Sequence, residues 1–165
     1  MAGAGATALM GAAGTVREAL ESATDALAAA GVESPRLDAE LLLAEATGGD
    51  RAQLVAAPET GVEPAAARRF GAMVRRRLTR EPVAYILGRK GFRRIELAVD
   101  RRVLIPRPET ELLVKFALEL RPRSALDVGT GSGAVALALA TELADAEVVA
   151  TDTSLEALAV AQANR

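Results

Sequence analysis

The stretch SALDVGTGSGAVALALATELADAEVVATD, Ser124 to Asp152, constrains the fold more than any other part of the chain. Ser124–Val128 is a short apolar run, which predicts a strand. Three alternating glycines follow, Gly129, Gly131 and Gly133. Residues 134–143 then carry Val135, Leu139 and Leu143 on one face of a helix. Glu147–Thr151 predicts a second strand, with Asp152 at its C-terminal end. Thr153-Ser154-Leu155-Glu156 reads as a capping box opening a further helix through Leu155, Leu158 and Ala161. Strand, helix, strand, helix in this order is the opening of a doubly wound parallel sheet, so the fold class is α/β.

Glycines at such a turn let the chain bend sharply and leave no Cβ between backbone and ligand. The helix that follows aims free N–H groups at whatever is bound. A carboxylate at the tip of the second strand can accept hydrogen bonds from both ribose hydroxyls of an adenosine, and Asp152 stands there. Two cofactor classes compete for this site. The dinucleotide fingerprint is G-x-G-x-x-G, whereas this loop reads G-T-G-S-G. An acid, Asp127, also precedes the loop by two residues. The resulting D-x-G-x-G-x-G is similar to motif I of S-adenosyl-L-methionine-dependent methyltransferases. A carboxylate suits that cofactor, which carries a sulfonium and an ammonium group and no phosphate. A tight turn without a ligand is the plainer alternative, against which stands the unfolded-state entropy that each glycine costs.

The rest of the chain reads as helix and linker. Residues 1–14 are Gly/Ala-rich without period, which predicts a disordered tail. Thr15-Val16-Arg17-Glu18 fits a capping box, and its helix closes at Gly31. Ser34 as N-cap and Pro35 at the first helical position start a second helix with Leu37, Leu41 and Leu42 as its apolar stripe. Asp50 caps a short third helix. A fourth starts at Pro64, with Phe70, Met73, Val74 and Leu78 inward and Arg68, Arg69, Arg75 and Arg76 mostly outward. One more helical turn, Pro82–Leu87, precedes a hairpin over Gly88–Phe92 and Ile95–Val99 that turns at Arg93-Arg94. Leu104-Ile105-Pro106-Arg107-Pro108 is extended, since proline restricts the residue before it. Pro108 begins a helix carrying Leu112, Leu113, Phe116 and Leu120.

Totals exclude several chemistries. No cysteine or histidine occurs in the 165 residues. Disulfides, Cys/His metal sites and histidine acid–base catalysis are therefore absent from this chain, and no metal is expected. No apolar run approaches the ~18 residues of a membrane span. The N-terminus lacks the basic start of a signal peptide, so the sequence reads as soluble and cytoplasmic. Net charge is −2 overall, but residues 68–107 alone carry thirteen basic and three acidic residues. This belt is either a solvated arginine-rich face or a landing surface for an acidic partner. With four aromatic residues in the whole chain, direct nucleic-acid binding through base stacking is not expected.

Five collinear stretches then match one family: SPRLDAELLLA (34–44), EPVAYILG (81–88), VLIPRPETELLV (103–114), LDVGTGSGAVALALA (126–140) and TDTSLEALAVAQAN (151–164). The chain resembles the protein-(glutamine-N5) methyltransferases that modify the GGQ motif of peptide-chain release factors. LIPRPETE is the most specific part. The hairpin is looser, because members often have a glycine shortly after the phenylalanine where this chain has Phe92-Arg93-Arg94. The resemblance implies a helical substrate-recognition bundle (15–79), a hairpin linker (80–107) and the first βαβα part of a Rossmann-like methyltransferase domain (108–165). It implies S-adenosyl-L-methionine as cofactor, with Gly129, Thr130, Gly131, Ser132 and Gly133 lining its methionine end and Asp152 holding its ribose. Leu104, Arg107 and Glu109 would lie beside cofactor and entering glutamine, although Arg107 and Glu109 could equally pin the linker to the domain. The release factor would be the partner of the basic belt.

The family's catalytic Asn-Pro-Pro-Tyr motif does not occur in this sequence. The chain is therefore expected to represent the N-terminal portion of such an enzyme, to hold no catalytic residue, and to transfer no methyl group alone. An open strand edge in its last third is expected to favour aggregation. Two alternatives remain at this point. One is a non-catalytic partner-binding fragment. The other is a related methyltransferase acting on another protein or a nucleic acid.

Overall fold

The computed structural model describes residues 14–165. The expected tail thus lies outside the described residues, except Gly14, whose carbonyl accepts from the Val62 N–H at 2.8 Å. The chain divides into two compact units that meet in sequence at Leu87 and Gly88.

The first unit is helical: α1 (Val16–Ala29), α2 (Pro35–Thr47), α3 (Arg51–Ala56), α4 (Pro64–Leu78) and the short α5 (Val83–Leu87). Every orphan donor in the first turn of α1 finds a partner. Val16 and Arg17 donate to the carbonyls of Thr60 and Pro58, both at 2.9 Å, and Ala19 to that of Thr15. Glu18 completes the capping box with Thr15. Asp50 caps α3 by accepting from Ala52 and Gln53. Leu20, Leu27, Leu42 and Leu43 are fully buried. Each contributes about 1.5–3 kcal/mol relative to exposure.

One expectation for this unit, the apolar stripe of α2, needs correction. Ser34 stands at the N-cap and Pro35 at the first helical position, as expected, without a side-chain cap hydrogen bond. The inward stripe of α2 is Ala39, Leu42, Leu43 and Ala46, while Leu37 is exposed. Leu37 and Leu41 belong to a helix apolar on several sides, and its packing partners α1 and α4 select the phase. Arg68, Arg69, Arg75 and Arg76 of α4 are all exposed, as expected, yet several arginines of this unit also bond within it. Arg69 donates to the Ala46 carbonyl at 2.6 Å and so caps α2. Arg80 caps the end of α1 through the Gly31 carbonyl, also at 2.6 Å. Arg76 grips Glu81 with two bonds. Arg77 reaches buried Asp38 at 2.7 Å. Cations are favoured at helix C-termini, where carbonyls lack partners. Much of the basic belt in this unit is therefore internal structure.

The second unit starts with a hairpin, β1 (Arg89–Phe92) and β2 (Ile95–Ala98), paired antiparallel with Phe92 opposite Ile95. A 3-10 turn at Pro108–Thr110 leads into α6 (Glu111–Leu120). Then come β3 (Ser124–Val128), α7 (Ala134–Glu142), β4 (Glu147–Thr151) and α8 (Leu155–Ala163). β3 and β4 are parallel, from Ser124 opposite Glu147 to Val128 opposite Thr151. This is the βαβα order of a Rossmann-like unit.

Here too the detail departs from expectation. The N-cap of α8 is Ser154, whose hydroxyl accepts from Ala157, so the box expected from Thr153 and Glu156 does not form. On α6 only Val114 is buried; Leu112, Leu113, Phe116 and Leu120 are exposed, as are Leu126 and Val128 on β3. No helix among the described residues is long and apolar enough to cross a membrane.

Candidate functional site

The loop after β3 is built by main-chain hydrogen bonds to the tip of β4. Gly129 and Thr130 both donate to the Thr151 carbonyl, at 2.8 and 2.9 Å. Gly131 donates to Asp152 Oδ2 at 2.9 Å. Gly133 donates back to the Thr130 carbonyl. Gly129 and Gly131 have φ of 79° and 56°, conformations that side-chain-bearing residues rarely adopt, and a Cβ on either would meet only open space. Gly133 is different: a Cβ there would lie 3.0 Å from Leu137 Cδ1 and 3.3 Å from the Ala161 Cβ. It lets α7 and α8 approach.

Two carboxylates flank the loop. Asp152 accepts from Ser154 N–H at 2.9 Å through Oδ1 and from Gly131 through Oδ2. These N–H groups, that of Ser154 first, hold its carboxyl below the usual aspartate value. Thr153 N–H adds a weaker third interaction, and a carboxylate with about four lone-pair sites still has acceptor capacity for a hydroxyl. Asp127 Oδ2 accepts from the Thr130 hydroxyl at 2.7 Å and from Ala136 N–H at 3.3 Å.

The structure brings Gly129–Gly133 and Asp152 together, as their order in the sequence implies. Thr130, Ser132 and Gly133 are buried, so the accessible members are Gly129 and Gly131. Leu104, Arg107 and Glu109 are exposed, and among the described residues none has a side-chain hydrogen bond to the loop or to Asp152. Arg107 and Glu109 also form no ion pair among the described residues. A groove of about 630 Å³, lined in part by Arg94, Arg121 and Arg123, lies at the opposite end of the strands and contains none of these residues.

Sequence reasoning missed Asn164. Its Oδ1 accepts from Ala98 N–H at 2.8 Å, and its Nδ2 donates to the Ala98 carbonyl at 3.0 Å and the Ser132 carbonyl at 2.9 Å. Nothing local marks it, since Ala98 stands 66 positions away. Arg93, noted only as a turn residue, is the second omission. It has φ of 51° and grips Glu142 with bonds of 2.6 and 2.8 Å.

Residues 18–88 match the family model "PrmC N-terminal domain" and residues 108–165 match "Methyltransferase small domain". Over 154 residues, 91% of this chain, the sequence is 46% identical to a release factor glutamine methyltransferase of Koribacter versatilis, covering 55% of that protein. It is 47% identical to the one of Moorella thermoacetica over 91% of this chain and 54% of the relative. For Caulobacter vibrioides the figures are 41%, 91% and 53%. The chain thus spans about half the length of the curated relatives it matches. With both domain models matched in order and such identity along most of its length, the chain belongs to the family of the release factor glutamine methyltransferases.

Proposed function

We propose that this chain provides the cofactor site and the substrate-recognition part of an S-adenosyl-L-methionine-dependent methyltransferase. Its target is the glutamine side-chain nitrogen in the GGQ motif of peptide-chain release factors, in the cytoplasm, at translation termination. The observation that carries this reading is Asp152 at the tip of β4, its side chain accepting from the Gly131 N–H of the glycine loop. The donor set fits the cofactor. Two carboxylates, Asp127 and Asp152, face a ligand better if it is cationic, and a pyrophosphate would be repelled by them.

In this reading Asp152 holds the ribose hydroxyls. Gly129 and Gly131 let the ligand approach the main chain. Thr130, Ser132 and Gly133 keep the loop in shape around its methionine end. The bound cofactor supplies an electrophilic methyl group on its sulfonium. Leu104, Arg107 and Glu109 stand beside the entering glutamine, with Arg107 and Glu109 free of ion pairs among the described residues. The domain assignment follows: residues 15–79 recognise the release factor, 80–107 link, and 108–165 are the first part of the methyltransferase domain. Without Asn-Pro-Pro-Tyr the glutamine amide lacks the acceptors that would orient its nitrogen, so residues 1–165 alone bind cofactor without turnover.

Calorimetry with S-adenosyl-L-methionine and with NAD, on the chain and on Asp152→Asn, tests the reading. Binding of the first ligand only, weakened at least about tenfold by the substitution, is expected, since one charge-assisted hydrogen bond is worth roughly that factor. Binding of NAD, or of neither ligand, refutes it. Methylation of a release factor by residues 1–165 refutes the inactivity.

A further inference from the structure

Ser132 lies between Gly131 and Gly133, which both stand at positive φ. The Ser132–Gly133 peptide turns over by rotation about ψ of Ser132 and φ of Gly133, and glycine on its C-terminal side eases that rotation. Two hydrogen bonds oppose this. Gly133 N–H donates to the Thr130 carbonyl at 2.9 Å, inside the loop. The Ser132 carbonyl accepts from Asn164 Nδ2 at 2.9 Å, outside it. The second bond is the only described side-chain contact to this peptide from beyond the loop.

The other atoms of the Asn164 carboxamide are engaged as well. Oδ1 accepts from Ala98 N–H and Nδ2 gives its second hydrogen to the Ala98 carbonyl. Ala98 ends β2, and both of its main-chain groups bond to the Asn164 side chain. The carboxamide therefore pairs with the free edge of the hairpin as another strand would. Only one orientation of the amide fits: the reverse one would set Oδ1 against two carbonyl oxygens. One side chain thus ties three segments: the end of α8, the hairpin and the glycine loop.

We propose that Asn164 is a positioning residue: its carboxamide clamps the glycine loop to β2, so that the cofactor-binding shape of the loop depends on the hairpin. This rests on the cofactor reading above. The clamp touches no ligand. It fixes the Ser132–Gly133 peptide, and it couples that peptide to the segment from which Leu104 and Arg107 follow. Aspartate at 164 would be nearly isosteric but would face the two carbonyls with an anionic oxygen. Alanine would release them.

The test uses the full 165-residue chain with Asn164→Ala and Asn164→Asp, in two measurements. Amide hydrogen exchange without ligand reads the clamp itself. Faster exchange at Ala98 in Asn164→Ala, and at Gly133 in both variants, is expected; unchanged protection at Ala98 in Asn164→Ala overturns the clamp. Calorimetry with S-adenosyl-L-methionine reads its role. The dissociation constant is expected to rise about tenfold in Asn164→Ala and further in Asn164→Asp, with unchanged stoichiometry, the loss of one well-placed hydrogen bond being worth about that factor. A purely structural residue would instead lower the melting temperature and the competent fraction and leave the constant alone. That result overturns the positioning role. If the wild-type chain binds no S-adenosyl-L-methionine, the cofactor reading fails and the positioning role fails with it, while the exchange data decide the clamp independently.

Discussion

Replacing Arg93 by glycine sets two effects against each other. Arg93 sits at φ 51°, where a side-chain-bearing residue is disfavoured. The cost is about 1–2 kcal/mol, and glycine removes it while adding about 0.4–1 kcal/mol of unfolded-state entropy. The backbone change alone therefore stabilises by roughly 0–1.5 kcal/mol. Against this stands the pair with Glu142, bonded twice at 2.6 and 2.8 Å with side chains only 20% and 10% exposed. A hydrogen bond to a charged group contributes about 1.5–3 kcal/mol, and a mostly buried Glu142 left alone loses more than a surface pair would. Taking about 3 kcal/mol for the pair, Arg93→Gly should destabilise by roughly 1.5–3 kcal/mol. Arg93→Ala, which keeps the strain, should lose about 3 kcal/mol.

Native-state exchange of the hairpin amides, with urea denaturation of both variants, measures these differences. The pH dependence is a second check. Arg93 first, then Arg94, hold Glu142 below its ordinary value of 4.5. The pair's contribution is therefore whole above that value and is lost as pH falls through the lower folded value. The difference between wild type and Arg93→Gly should shrink in acid and stay constant from weakly acidic to neutral pH. An Arg93→Gly chain as stable as wild type at pH 7 would refute the reasoning, since the backbone term would then outweigh the ion pair.

Three further outcomes are expected. Asp38→Ala leaves the Arg77 guanidinium, now 17% exposed, without its carboxylate and should destabilise the helical unit by about 2–3 kcal/mol in thermal unfolding. Gly133→Ala, strained at φ 85° and 3.0 Å from Leu137 Cδ1, should cost at least about 1–2 kcal/mol by urea denaturation, whereas the same change at Gly129 costs only the φ term. Asp152 is held below the ordinary 3.8, so binding of S-adenosyl-L-methionine, followed by calorimetry, should be level from neutral pH down to about that value and fall beneath it. Asp152→Asn should abolish this acid limb.

Much of the fold was legible because it is set by neighbours in sequence. The Thr15 capping box, the Asp50 cap and the starts at Pro35 and Pro64 are interactions over two to four residues. The bounds of β3 and β4 follow from apolar runs ended by a glycine and an aspartate. The candidate site was legible for the same reason: the glycines must take positive φ, and Asp152 ends the strand next to theirs. Where several local solutions were equal, the sequence could not choose. Thr153 and Ser154 both suit an N-cap, and Ser154 takes it because Asp152 already accepts the Ser154 N–H. Leu37, Leu41, Leu42 and Leu43 surround much of α2, and burial against α1 and α4 admits only one phase.

By itself, then, the sequence determined the element order, the positive-φ turn after β3 and the carboxylate beside it, since each depends on backbone sterics and short-range bonds. Only the tertiary structure decided where the long or polar side chains end. Arg69 reaches a carbonyl 23 positions away, Arg93 a carboxylate 49 away and Asn164 a strand edge 66 away. The physical reason is that an unpaired helix carbonyl or strand edge shows no trace in a sequence until folding brings a donor to it.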